Sequence, residues 1–154
     1  MFRGIAQRVA SARAAKGLSV AEVASAVGIN DAWAYDLEAY DDDLPSTLSL
    51  GQVCRLATVL GTSPRALACG SDHPQASVTV SPERVVQAIQ TSLVAHGQSV
   101  DEFSHAVGWD VQSVLDDPRR IWPEWCLDQA HDVCSRLGID WRTLLPGTDS
   151  EAAV

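Results

Sequence analysis

The sequence predicts an all-α protein made of two tandem copies of a small five-helix lobe. Three observations support this fold class. Apolar residues recur at the spacing of a helix face, serines followed three residues later by glutamate open helices, and the second half of the chain repeats the first. Beyond a short VTV run at 78–80, no segment alternates apolar and polar side chains as a half-buried strand would.

The repeat sets the expected domain organisation. The segment GLSVAEVASAVGIN at 17–30 matches GQSVDEFSHAVGWD at 97–110 in seven of fourteen positions, and LGTSPRAL at 60–67 aligns with LGIDWRTL at 137–144. The offset between the copies falls from 80 to 77 residues, so the second copy is three residues shorter between these blocks. Because repeated segments define structural units, we expect a lobe at 1–69, a linker at 70–81, a second lobe at 82–146 and a flexible tail at 147–154.

The first two helices of the first lobe have clear limits. Apolar residues from Ile5 onward recur at helical spacing until Gly17, which stops the first helix. Ser19 and Glu22 form a capping box that opens the second helix, and Gly28 ends it.

Three further helical segments follow in the first lobe. The third helix opens at Asn30 or Asp31. Ser49 opens the fourth helix, which carries a regular apolar face and stops at Gly61. The pair Ser63–Pro64 starts a last helical turn, since proline suits the first position of a helix.

The second copy repeats this plan. Ser99 and Glu102 form the same capping box, and Asp140 caps the final turn. Glycines again stand where helices end, at Gly97, Gly108 and Gly138.

The composition excludes several classes of protein. The chain has 154 residues, 46% of them hydrophobic, with 20 acidic and 11 basic side chains and a net charge of −9. No apolar run reaches the roughly 18 residues of a membrane span, and the first residues do not form a secretory signal, so we expect a cytoplasmic protein without a membrane partner. The charge argues against a protein that coats nucleic acid, because such binding sets Lys and Arg against phosphates.

The sequence gives no sign of an enzyme or of a metal site. Cys126, Cys134, His131 and His105 come nearest to a zinc site, but their spacing matches no known ligand pattern. No GxSxG, HExxH, P-loop or GxGxxG motif is present. We therefore expect no catalytic residues, no metal and no cofactor.

Both copies contain a helix, a glycine, a Ser-x-x-Glu helix, a Val-Gly turn, a short third helix and a helix ending in Leu-Gly. This order resembles the Xre/Cro-repressor type helix-turn-helix domain, closely over residues 3–68 and more weakly over 82–145. The resemblance implies that the third helix enters the major groove of DNA. It also implies a structural ion pair between Arg13 and Glu38, which the second copy lacks because Leu93 replaces the arginine.

The first copy departs from DNA-reading members of that family. The resemblance implies Gln at the start of the second helix, where Val20 and Val100 stand instead. Residues 30–43 contain six acidic side chains and no Lys or Arg, which disfavours contact with phosphates. We expect Asp41–Asp43 to be a solvated acidic loop, with a docking patch for a basic partner as the alternative. The candidate contact residues for DNA or a partner on this helix are Asn30, Asp31, Trp33, Tyr35 and Asp36.

The second copy supplies further candidates around its third helix. The amide of Gln112 suits an adenine edge. Two arginines after the helix either hold phosphates or partner carboxylates, or form a helix C-terminal pair favoured by the dipole. A tryptophan beside them is either an exposed anchor or a cover for the end of its own lobe or for the seam between the lobes. Trp109 and Trp125 replace Ile29 and Leu48 of the first copy and are expected in the core. The binding candidates are Asp110, Gln112, Ser113, Arg119, Arg120 and Trp122.

Two functions stay open on these grounds. The resemblance favours a DNA-binding transcriptional regulator, whose two lobes imitate a twofold dimer and read adjacent half-sites. The chemistry of the third helix favours an acidic protein-interaction module that no longer reads DNA. Such a module would cover a basic protein partner, as an antitoxin, an immunity protein or an antirepressor does, or act as a DNA decoy. Whether the whole chain dimerises also stays open.

Overall fold

The computed structural model describes residues 2–70 and 79–146, referred to below as the first and second lobes, and over these ranges the protein is all-α as predicted. Residues 71–78 of the expected linker and the expected tail at 147–154 lie outside the described residues. No helix in the two lobes is both long and apolar enough to cross a membrane. The helices are α1 Ile5–Lys16, α2 Val20–Val27, α3 Asp31–Ala39, α4 Asp43–Thr47, α5 Leu50–Leu60, α6 Pro64–Cys69, α7 Pro82–His96, α8 Val100–Val107, α9 Gln112–Asp116, α10 Ile121–Glu124 and α11 Leu127–Arg136, with 3-10 turns at Pro118–Arg120 and Trp141–Leu144.

The helix ends predicted from serine and glycine are present. Ser19, Ser49 and Ser99 each accept the backbone N–H three residues on, and the side chain of that residue accepts the serine N–H in return. Gly17 and Gly97 end α1 and α7 with φ of 67° and 59°, a left-handed conformation that glycine adopts without strain. Local signals therefore decide where these helices begin and end in both lobes.

Two short helices, α4 and α10, are additional to those predicted. Each follows the third helix of its lobe, and each buries an apolar residue at the equivalent position, Leu44 in α4 and Ile121 in α10. Pro45 fits the first turn of α4, where the N–H that proline lacks would have no helical partner. Segments of four or five residues are too short to show a helical period in the sequence.

The three residues missing from the second copy belong to the first turn of its third helix. The buried residues of α3 are Ala34 and Leu37, and their counterparts 77 positions later, Val111 and Val114, are also buried. α3 begins at Asp31, three residues before the first of these positions, whereas α9 begins immediately after Val111. The second lobe therefore has no equivalent of the opening turn of α3.

The two lobes pack on each other around one continuous apolar core. Their largest cluster of buried side chains runs through both lobes. α4 of the first lobe packs on α11 of the second, and α10 of the second packs on α5 of the first. Because α4 corresponds to α10 and α5 to α11, each of these contacts is the counterpart of the other.

Candidate functional site

In the first lobe α2 and α3 are two packed helices joined by a tight turn. Gly28 ends α2 with φ of 79°, again in the left-handed region. The side-chain oxygen of Asn30 begins α3 by accepting the N–H of Trp33 over 2.8 Å, so Asn30 is a helix cap. The turn and a small buried cluster fix α3 relative to α2. The cluster consists of Val20, Ala24 and Ala34.

An ion pair braces α3 against α1. Nη2 of Arg13 donates to Oε2 of Glu38 over 2.8 Å, Nε donates to the other carboxylate oxygen, and Nη1 donates to the carbonyl of Leu18. The hydrogen bond to Glu38 raises the pKa of Arg13 above its ordinary value. Both side chains are largely buried, so the pair serves the structure and does not face a ligand. The corresponding positions of the second lobe are Leu93 and Leu115, which are partly buried against the core.

The outer side of α3 is acidic and aromatic. Trp33 and Tyr35 are 50% and 63% exposed, and Tyr40, which follows the helix, is 57% exposed. Asp31 is exposed in the first turn, and Asp36 is half-buried. No Lys or Arg lies on the helix. The second lobe leaves this face open to solvent, so aromatic rings and carboxylates are what it offers to a partner.

Asp41 is exposed, as the sequence predicts for the acidic run, and it also caps α1, a role that the sequence does not predict. Its two carboxylate oxygens accept the backbone N–H groups of Gly4 over 2.7 Å and of Ala6 over 3.0 Å. These hydrogen bonds, led by the one from Gly4, hold the pKa of Asp41 below its ordinary value. The sequence signal for an external cap is Gly4 itself, which precedes α1 and has no side chain to cap it.

The rest of the acidic run, Asp42 and Asp43, begins α4. Burial, followed by the charges of Asp36 and Asp42, raises the pKa of Asp43. Carboxylates at a helix N-terminus are favoured by the helix dipole although they repel one another. The run therefore starts two helices while Asp41 and Asp42 remain exposed to solvent.

The candidate residues at α9 bond to their own neighbours. α9 begins at Gln112, and the Asp110 carboxylate accepts the Gln112 N–H over 2.9 Å. The amide of Gln112 donates to Asp116 over 2.8 Å, and the hydroxyl of Ser113 donates to Glu124 over 2.8 Å. Each of these side chains already has a partner within the second lobe.

Arg119 and Arg120 each form an ion pair within the second lobe. Nε of Arg119 donates to Asp117 over 2.9 Å, and Nε of Arg120 donates to Glu124. Arg119 is 85% exposed, so water and salt screen its pair and the guanidinium remains accessible. The adjacent carboxylates reduce the attraction of both arginines for a phosphate.

Three tryptophans of the second lobe differ in their surroundings. Trp122 is half-buried on the seam between the lobes, where a β-carbon added to Gly51 would lie 3.3 Å from its carbonyl oxygen. Its backbone lies at the seam and its side chain packs partly against the core, so it is not a fully exposed anchor. Trp125 is buried in the core as predicted. Trp109 is only half-buried, because its indole N–H reaches the surface and donates to Asp132 over 3.0 Å, so its assignment to the core was wrong.

Several bases of the first lobe hold the fold together. Nε and Nη2 of Arg8 donate to the carbonyls of Leu67 and Ala68 over 2.7 and 3.0 Å. Arg13 is engaged with Glu38, and Arg65 is buried. Three exposed bases of this lobe have no carboxylate within 4 Å among the described residues. They are Arg3, Lys16 and Arg55.

The seam between the lobes is fastened by one buried arginine. Arg65 of the first lobe is 4% exposed and donates to the second-lobe carbonyls of Arg142 over 3.2 Å and Leu145 over 2.7 Å. Nearby, the rings of Phe2 and Trp141 pack edge to face across the seam with centroids 5.3 Å apart. A groove of about 560 Å³ opens beside these two rings.

Comparison with known families identifies the first lobe. Residues 5–68 match a family model described as a helix-turn-helix domain, so α2, the turn at Gly28 and α3 lie within a recognised helix-turn-helix unit. The matched range ends before the second lobe begins. Neither the curated proteins nor the solved structures give a significant match to the chain.

Proposed function

We propose that this chain, whose first lobe is a helix-turn-helix domain, is a DNA-binding transcriptional regulator of the Xre type that contacts DNA with α3. The intact α2–turn–α3 unit within the matched range is the observation that supports this function. α3 is braced on its inner side by Arg13 and Glu38 and open to solvent on its outer side, as a helix that enters the major groove must be. Such a regulator needs neither a catalytic group nor a cofactor.

The charge distribution predicts weak dependence of binding on salt. Because α3 has no Lys or Arg, phosphate contacts fall to the N-terminal N–H groups of helices and to bases elsewhere. The accessible bases of the first lobe without a described carboxylate partner are Arg3, Lys16 and Arg55. If all three contact phosphates, the slope of log K against log salt is no steeper than about −3.

Selection from a randomised double-stranded DNA library, carried out at low salt with the full chain, tests this function. We expect a short motif to be enriched, and Trp33→Ala to weaken binding to that motif about tenfold, because the side chain stands exposed on the first turn of α3. Val94→Ala removes another exposed apolar side chain, on α7, and serves as the matched control. Absence of any enriched motif at low salt would contradict the proposed function.

A second candidate function, the binding of a basic protein, is supported by the same face of α3. Asp31 and Asp36 lie beside the exposed rings of Trp33 and Tyr35, which suits Lys and Arg side chains through charge and cation–π attraction. Pulldown with the full chain and nuclease treatment separates the candidates. Recovery of DNA supports the first, whereas a basic protein retained after nuclease and lost with Asp31→Asn plus Asp36→Asn supports the second.

A further inference from the structure

We infer that the chain reads DNA bases with α3 alone and that the second lobe is a built-in dimerisation mate of the first; the first of these two statements rests on the proposed function. The first turn of α3, Asp31–Trp33, is then the segment that determines sequence specificity. Three features of the described lobes carry this inference: the pairing of equivalent elements at the seam, the buried arginine that fastens it, and the missing turn of α9.

The seam pairs equivalent elements of the two lobes. Ser49, immediately before α5, forms an isolated antiparallel β-bridge with Cys126, which holds the same position before α11. Beside this bridge the N–H of Leu50 donates to the carbonyl of Trp125 over 2.7 Å. α4 packs on α11 while α10 packs on α5. Such reciprocal contacts are characteristic of the isologous interface of a twofold dimer.

Arg65 stabilises the seam against separation of the two lobes. Its counterpart in the second lobe is Arg142, and the backbone carbonyl of that counterpart accepts one of its hydrogen bonds. The carbonyl of Leu145 accepts another over 2.7 Å. Separation of the lobes would leave these buried groups without each other, which is costly. A second copy of the chain therefore finds this face of the first lobe already covered.

The second lobe keeps the pairing surface but lacks the turn that reads bases. In helix-turn-helix proteins the N-terminal residues of the recognition helix contact base edges. α9 has no counterpart of Asp31–Trp33, and its first residue, Gln112, corresponds to Tyr35 of α3 and is bonded to Asp116. The elements that form the seam, α10 and α11, are complete. The three-residue deletion thus removes the turn that would contact bases and leaves the surface that pairs with the first lobe.

The consequence is one half-site for each chain. A twofold dimer recognises an inverted repeat because its two recognition helices are equivalent. With one complete recognition helix, the preferred DNA sequence has no internal symmetry. The second lobe then acts by holding α3 and its surroundings in place, and not by a second set of base contacts.

Three measurements on the full chain test this inference. Sedimentation equilibrium is expected to give the mass of one chain, 16.5 kDa, up to high micromolar concentration. The randomised-duplex selection is expected to yield a single motif without an inverted repeat. Trp33→Ala should then weaken binding to this motif about tenfold, and Gln112→Ala, its matched control on α9, by less than about twofold. Circular dichroism of each variant establishes that it remains folded.

The possible outcomes separate this inference from the proposed function. A homodimer in sedimentation, an inverted-repeat motif, or equal losses from the two variants would overturn the single-helix inference while the DNA-binding function stands. Failure to enrich any DNA would overturn the proposed function and the DNA-binding part of this inference, while the pairing of the lobes is decided by sedimentation. A monomer, an asymmetric motif and an effect confined to Trp33→Ala would support it.

Discussion

The two lobes hold their third helices by different chemistry. In the first lobe the ion pair of Arg13 and Glu38 ties α3 to α1, whereas Leu93 and Leu115 stand at the corresponding positions of the second lobe, partly buried against the core. A buried ion pair fixes an orientation but requires desolvation, and its joint replacement by apolar residues is often neutral for stability. The difference indicates that the first lobe retains a fixed direction for α3, while the second retains only the packing of α9.

The seam shows a second difference, carried by one pair of equivalent residues. Arg65 is buried and bonds across to the second lobe, while Arg142 bonds to Asp140 within its own lobe and stays partly exposed. The pairing of the lobes is therefore reciprocal in its helices but not in these arginines. The arginine that bonds across the seam belongs to the first lobe, whose third helix keeps the opening turn that α9 lacks.

Replacing Arg65 by alanine should have the largest effect on stability, and the same change at Arg142 should have a much smaller one. Arg65→Ala is expected to lower the free energy of unfolding by about 2–4 kcal/mol, because seam carbonyls lose their donor and a void remains. Arg142→Ala removes a partly exposed ion pair and should cost less than about 1 kcal/mol. Urea denaturation followed by tryptophan fluorescence measures both. Equal losses would contradict the asymmetry of the seam.

Replacing the ion pair of the first lobe by two leucines, as in the second lobe, tests how the third helix is held. Arg13→Leu and Glu38→Leu are each expected to cost about 2 kcal/mol, because each leaves a largely buried charge without its partner. The double variant should cost less than either single change, since it matches the leucines of the second lobe. A double-mutant cycle from urea denaturation gives the coupling. If the two losses in stability simply add, the ion pair does not contribute to holding α3 in place.

Helix ends are predictable from this sequence because their determinants lie within four residues. Ser19 and Glu22 cap α2 across three positions, and the same pattern recurs in the second lobe. The cap on α1 is not predictable in this way, because Asp41 lies 37 positions from Gly4 and their contact exists only in the folded chain. The acidic run read locally therefore predicts the exposure of Asp41 but not its role as the cap of α1.

The same distinction between local determinants and those of the folded chain applies to the candidate site. Exposed aromatic and acidic residues on α3, such as Trp33 and Tyr35, can be named from the helical period alone. The position of the three-residue deletion cannot, because the two copies share little identity across their third helices. The burial of Val111 shows that it corresponds to Ala34 of α3.

The smallest expected effect concerns how the first helix of each lobe begins. α7 is capped by its own Ser81, whereas α1 depends on Asp41 from a distant segment. Because the pKa of Asp41 is lower in the folded chain than in the unfolded chain, its stabilisation is present above the unfolded value of about 3.9 and is lost as the pH falls through the folded value.

Asp41→Asn should therefore lower the urea midpoint at pH 7, by less than Arg65→Ala or Arg13→Leu does. The difference in midpoint between Asp41→Asn and the unmodified chain should disappear on acidification below about pH 4. Asp42→Asn removes the same charge at the adjacent position, where the side chain does not cap α4, and serves as the control. It should leave the midpoint nearly unchanged or raise it, since Asp42 contributes to the raised pKa of Asp43. A gap for Asp41→Asn that persists unchanged in acid would mean that the carboxylate charge plays no part in beginning α1, and that α1 and α7 start by equivalent means.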